Sequence, residues 1–128
     1  MKYVPAVALL VAGVIHLLPV PGVMGASALM PLYGIEVADP NLAILLQHRA
    51  LLFGMLGVLM LGAIAYRPLR IIAMAMGLFS TASFIAIALW VGGANAAIDR
   101  IVAADTVALI FLVAGLAVAF WQARRREP

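Results

Sequence analysis

Four stretches of the chain are almost unbroken in apolar residues, and each ends where polar, glycine or proline residues cluster. The first runs from Tyr3 to Leu18 and stops at Pro19 and Pro21. The second runs from Asn41 to Tyr66, with Asp39 placed to cap a helix and Pro40 in its first turn. The third runs from Ile71 to Val91 and stops at Gly92 and Gly93; the fourth runs from Ile101 to Trp121 and is expected to begin near Asp99. Each run approaches the roughly 20 residues that an α-helix needs to cross the hydrocarbon core of a bilayer. The pattern therefore predicts an all-α integral membrane protein, one transmembrane domain over residues 1–128, with spans at 3–18, 41–66, 71–91 and 101–121.

The connections set the topology. Arg67 to Arg70 and Gly92 to Ile98 are short, which favours antiparallel neighbours and an up-down four-helix bundle. Pro19 to Asp39 is long for such a link, and Gly25 to Tyr33 within it predicts a short helix lying in the interface, ended by Gly34. Lys2, the apolar run after it and Ala26-Ser27-Ala28 also imitate a signal peptide and its cleavage site. The run is long for that purpose, and Pro5 and His16 fit it poorly, so it is read as a span.

Composition strengthens the membrane reading. Of the residues 67% are hydrophobic and 10% charged, against about a quarter charged in a soluble domain. The net charge of +3 does not point to nucleic acid, because Lys and Arg stand at the ends of the apolar runs. Lys2, Arg67, Arg70, Arg124, Arg125 and Arg126 collect on one side, and only Arg49 and Arg100 on the other. The excess of positive charge on cytoplasmic sides then places both termini in the cytoplasm. Tyr3, Tyr66, Phe120 and Trp121 would mark the inner boundary, Tyr33 and Trp90 the outer one. Cysteine is absent, which excludes thiol catalysis, zinc–thiolate sites and iron–sulfur clusters.

Small residues mark the packing faces: Ala50, Gly54 and Gly57 on the second helix, Ala73 and Gly77 on the third, Ala104, Ala108, Gly115 and Ala119 on the fourth. They serve packing within the chain, and the same kind of face would serve a homo-oligomer or a partner membrane subunit. Ser80, Thr81 and Ser83 are expected to bond back to carbonyls one turn earlier.

The candidate chemistry gathers near the outer end: His16, Gln47, His48, Arg49, Asp99, Arg100 and Asp105. Ionisable groups inside membrane helices are costly, so each needs either a partner or a function. The structural reading is an Arg49–Asp105 ion pair between the second and fourth helices, with the histidines bonded to loop carbonyls. Three ligand readings compete with it. His16 and His48 at similar depth would ligate haem iron axially, Gly13 admitting the flat ring. The same histidines and Arg49 would hold a quinone or a lipid headgroup as hydrogen-bond donors. An Asp/His relay would carry a proton or a small solute, but nothing ionisable continues toward the inner side, and the first helix lacks the glutamate of four-helix multidrug exporters. His16, His48, Met24 and Met30 have copper-ligand chemistry at uninformative spacing. Phosphate-binding glycine loops, dinucleotide fingerprints, HExxH and nucleophile elbows are missing, so the chain points away from an enzyme. No metal or catalytic residue is assigned, and the expected surroundings are membrane lipid.

Gly13-Val14-Ile15-His16-Leu17-Leu18-Pro19, Leu32-Tyr33-Gly34-Ile35 and Gln47-His48-Arg49-Ala50-Leu51-Leu52-Phe53-Gly54 resemble a group of small bacterial membrane proteins. In layout that group is similar to the broader DoxX-like four-helix proteins. The resemblance implies a four-helix membrane protein of the bacterial inner membrane and, at one remove, a link to quinone-dependent redox systems; the residues themselves favour a structural or accessory role, with the polar cluster holding the bundle together. The resemblance carries no catalytic residue over to this chain.

Overall fold

The computed structural model describes residues 1–125; Arg126 of the basic tail falls outside them. Its α-helices are α1 (Val4–Leu17), α2 (Ala26–Tyr33), α3 (Pro40–Ala65), α4 (Arg70–Val91) and α5 (Ala96–Arg124), with 3-10 segments at Val20–Met24 and Arg67–Leu69. Four segments are long and apolar enough to cross a membrane: Val4–Met24, Pro40–Ala65, Arg67–Val91 and Ala96–Arg124. They pack as a four-helix bundle, α1 between α3 and α5, α4 against α5 and α3. The chain is an integral, multi-pass membrane protein with α2 lying between α1 and α3 in sequence.

The helix ends follow local chemistry. Asp39 caps α3, its carboxylate accepting from the Asn41 backbone N–H at 2.8 Å, and Pro40 occupies the first turn. Gly34, with φ +64°, ends α2 in the left-handed region that an ordinary residue avoids. The fourth span does not begin near Asp99. Asn95 caps α5, its side chain accepting from the Ile98 N–H at 2.9 Å, so Asp99 falls inside the first turn. A carboxylate there still complements the positive end of the helix dipole.

Side chains divide between a thin core and lipid. Leu9, Ala12, Met60, Ala63, Ala73, Met74, Ala108 and Leu112 form the buried centre of the bundle. Large apolar residues such as Leu45, Met55, Phe79, Ile87 and Trp90 stay exposed. In water that surface would drive aggregation, but in a bilayer it faces its solvent. Helix approach therefore rests on small residues. A Cβ on Gly57 would lie 2.9 Å from Leu17 Cγ and 3.0 Å from the Gly13 carbonyl oxygen, so α1 and α3 meet almost backbone to backbone. Gly13, expected to admit a flat ring, is filled by this contact and by Leu61, whose Cδ2 would lie 2.9 Å from a Cβ.

A second buried cluster, Leu29, Tyr33 and Val37, joins α2 to Leu42 and Leu46 of α3 and to Ile98 and Ile101 of α5. This cluster seats α2 across the end of the bundle. Tyr33 belongs to this cluster and is buried by protein, at 3% exposure. The 14 residues of α1 span about 21 Å, less than the roughly 30 Å of a hydrocarbon core. Beyond its last turn, α2 and the Val20–Met24 segment take over the space that a longer helix would fill.

Candidate functional site

Above the end of α1 lies a cavity of about 360 Å³, within the range of small-molecule sites. Ile15, His16, Leu18 and Pro19 line its base, Pro31, Leu32 and Tyr33 of α2 its roof, and α3 and α5 its walls. On α5 the lining residues are Ala97, Arg100, Ile101, Ala104 and Asp105, spaced by threes and fours along one helix face. On α3 they are Arg49 and Phe53, one turn apart.

Arg49 is held rigidly. Its Nη1 donates to the Tyr33 hydroxyl at 2.9 Å. Its guanidinium carbon lies 5.3, 4.7 and 5.1 Å from the ring centroids of Tyr33, Phe53 and Phe84. Aromatic faces stabilise a cation where water is scarce, and here three rings from three helices surround one. Only one of the five guanidinium N–H donors has a protein acceptor among the described residues.

Asp105 is the opposite case. It is 5% exposed, yet its carboxylate accepts no hydrogen bond among the described residues. Its oxygens are not fully sealed from solvent, and the residue borders the cavity. The expected Arg49–Asp105 ion pair is not formed: among the described residues no contact between them closes to within 4.0 Å. Both instead border the same cavity.

His16 is 1% exposed and fully engaged. Its Nδ1 donates to the Ala12 carbonyl oxygen at 2.8 Å, since that oxygen can only accept. In the neutral ring Nε2 then accepts from the Ser80 hydroxyl, 3.1 Å away. The ring packs on Phe53, centroids 5.5 Å apart. Thr81 and Ser83 do bond back within α4, to Gly77 and Leu78 and to Ser80. Ser80 alone reaches across to another helix through its side chain.

The remaining candidates separate from this group. His48 is exposed and lines no part of the cavity, because one residue along a helix turns the side chain by about 100° from Arg49. The two histidines therefore do not face a shared ligand. Gln47 is half-buried beside Gly25, Asp99 is exposed, and Arg100 is exposed at the cavity rim. The haem reading fails on these positions, as does a copper set from His16, His48, Met24 and Met30. Both nitrogens of His16 are used, and Met24 and Met30 are exposed, at 76% and 61%.

Comparison with known proteins finds no matching family model, no matching curated protein and no matching solved structure.

Residues not singled out in the sequence complete the site. Asn95 donates through Nδ2 to the Tyr33 carbonyl at 2.9 Å while capping α5, and so ties the roof to the wall. Phe53 stands four residues after Arg49, a spacing that places both on one helix face. Phe84 carries no comparable signal, since its helix meets Arg49 only in the folded bundle.

Proposed function

We propose that this chain is an accessory protein of the bacterial inner membrane, both termini cytoplasmic, that holds a small amphipathic molecule in the outer cavity. The single observation that carries the reading is Asp105. A carboxylate nineteen-twentieths buried without a hydrogen-bond partner among the described residues is costly, and it stands beside a cavity also lined by Arg49, whose guanidinium has donors to spare among those residues. A ligand that donates to Asp105 and accepts from Arg49 answers both groups at once. The remaining walls are mainly aliphatic and aromatic, so its body is apolar.

A quinone–hydroquinone headgroup matches this chemistry. A hydroquinone answers both groups, its hydroxyl oxygens accepting from Arg49 and its hydroxyl hydrogens donating to Asp105, while the oxidised quinone, with carbonyl acceptors alone, answers Arg49 only. The DoxX-like resemblance favours the same class. Transport through the bundle has less support, because Leu9, Ala12, Met60, Met74 and Leu112 fill its centre below His16. The distribution of Lys and Arg supports the orientation, and the resemblance to small bacterial membrane proteins favours the inner membrane.

The test is a solvent extract, analysed by mass spectrometry, of protein purified gently from native membranes. A stoichiometric quinone or other amphiphile is expected with wild type and with His48→Ala, and is expected to be lost in Asp105→Asn and in Arg49→Gln. Bulk lipid alone, equal in all four samples, overturns the reading.

A further inference from the structure

At the opposite end of the bundle lies a second cavity, of about 230 Å³, independent of the first. Three cations border it from two parts of the chain: Lys2 before α1, and Arg67 in the 3-10 segment with Arg70 just after it at the start of α4. Its floor includes Pro5, Ile71 and Ala119, which are apolar.

Three observations distinguish this from a scatter of basic residues at a membrane surface. Arg70 is positioned: Nε donates to the Ala63 carbonyl at 3.1 Å and Nη2 to that of Ile64, which leaves Nη1 without a protein acceptor among the described residues. Gln122 donates to the Met1 carbonyl at 3.4 Å, joining the end of α5 to the segment that carries Lys2. Finally, among the described residues no carboxylate borders the cavity, and the acidic ones, Glu36, Asp39, Asp99 and Asp105, all belong to the other end. Arg125, by contrast, is parked over the Trp121 ring at 3.9 Å and does not border the cavity.

We propose that the cavity between Lys2, Arg67 and Arg70 binds a phosphate group, carried by an anionic lipid headgroup or by a soluble phosphate ester. Converging Lys and Arg donors suit the several acceptor oxygens of a phosphate. The apolar floor suits an ester whose hydrocarbon part continues past the phosphate.

The experiment uses the full chain, purified and delipidated in a neutral detergent. Phosphatidylglycerol, phosphatidylcholine, inorganic phosphate and glycerol phosphate are titrated separately, with the dissociation constant as readout. Saturable binding of phosphatidylglycerol without binding of the two soluble phosphates assigns the lipid source. Binding of either soluble phosphate with comparable affinity assigns the soluble source. Lys2→Gln with Arg67→Gln should weaken binding roughly 25-fold, about fivefold for each cation. Both side chains are exposed, so the variant keeps its packing, and Lys2→Arg with Arg67→Lys should retain wild-type affinity. Arg124→Gln with Arg125→Gln removes as much charge from the same end but should leave affinity unchanged. Equal weakening by the two Gln pairs would reduce the effect to surface charge and overturn the site. So would a phosphatidylglycerol affinity no higher than that for phosphatidylcholine, with no binding of the soluble phosphates.

Discussion

A carboxylate within a bilayer-spanning helix is expensive unless something answers it. Asp105 is buried on α5 and Arg49 is caged by Tyr33, Phe53 and Phe84, so the two are supported in different ways. Removing the charge should therefore separate stability from binding. In ligand-free detergent, Asp105→Asn is expected to leave the unfolding free energy unchanged or raise it, by roughly 1–3 kcal/mol at most, while abolishing ligand retention. A clear loss of stability would mean that the carboxylate serves the fold. His16 presents the reverse pattern. Its two nitrogens are taken by Ala12 and Ser80, and it ties α1 to α4 at the base of the cavity. Ser80→Ala should cost about 0.6 kcal/mol, the usual worth of a hydrogen bond between membrane helices, and should leave ligand retention intact. A thermal melt and the extraction assay on the same sample check both statements.

At the scale of elements, α2 decides whether the cavity has a roof. Its end is tied to α5 by Asn95, which caps one helix while donating to the carbonyl of Tyr33 in the other. Asn95→Ala should cost about 2 kcal/mol, from a lost cap and a lost hydrogen bond together. Hydrogen exchange should rise in α2 and in the first turn of α5, with little change in α3. The α1–α3 contact makes a second prediction. Gly57→Leu drives a side chain into Leu17 and the Gly13 backbone, and should cost at least about 1–3 kcal/mol. Gly62→Ala on the same helix meets nothing within 4 Å and should be neutral or stabilise by up to about 1 kcal/mol. Equal behaviour of the two variants in a detergent melt would refute close α1–α3 packing.

For the whole molecule, the two ends carry opposite chemistry. Among the described residues, Glu36, Asp39, Asp99 and Asp105 and the first cavity belong to one end, and Lys2, Arg67, Arg70, Arg124 and Arg125 to the other. The proposed orientation follows from that asymmetry, and the absence of cysteine makes it simple to check. In intact cells, Ala94→Cys should react with a membrane-impermeant maleimide and Ala123→Cys should not until the cells are opened. The reverse pattern would invert the protein in the membrane and place the phosphate cavity outside.

Four spans, the short helix before the second, and the caps at Asp39 and Gly34 were legible in the sequence, because each depends on residues close together in the chain. Apolar runs of membrane length, a carboxylate before a proline and a glycine after an aromatic act locally and need no partner. The start of the fourth span was misread at Asp99 because Asn95 and Asp99 are both competent caps, and only Asn95 also finds the carbonyl of Tyr33. The site was legible as a list of polar residues near one end but not as an arrangement. Rotation about α3 turns Arg49 inward and His48 outward, a choice made by the rings of Tyr33, Phe53 and Phe84 arriving from three helices. Likewise the separation of Asp105 from Arg49 by a cavity, rather than their union in an ion pair, depends on how α2 closes over the short α1. Sequence alone determines which segments enter the bilayer, since the bilayer acts on each segment separately. Only tertiary packing decides which polar groups meet, since every such meeting requires two or more helices to agree on rotation and depth.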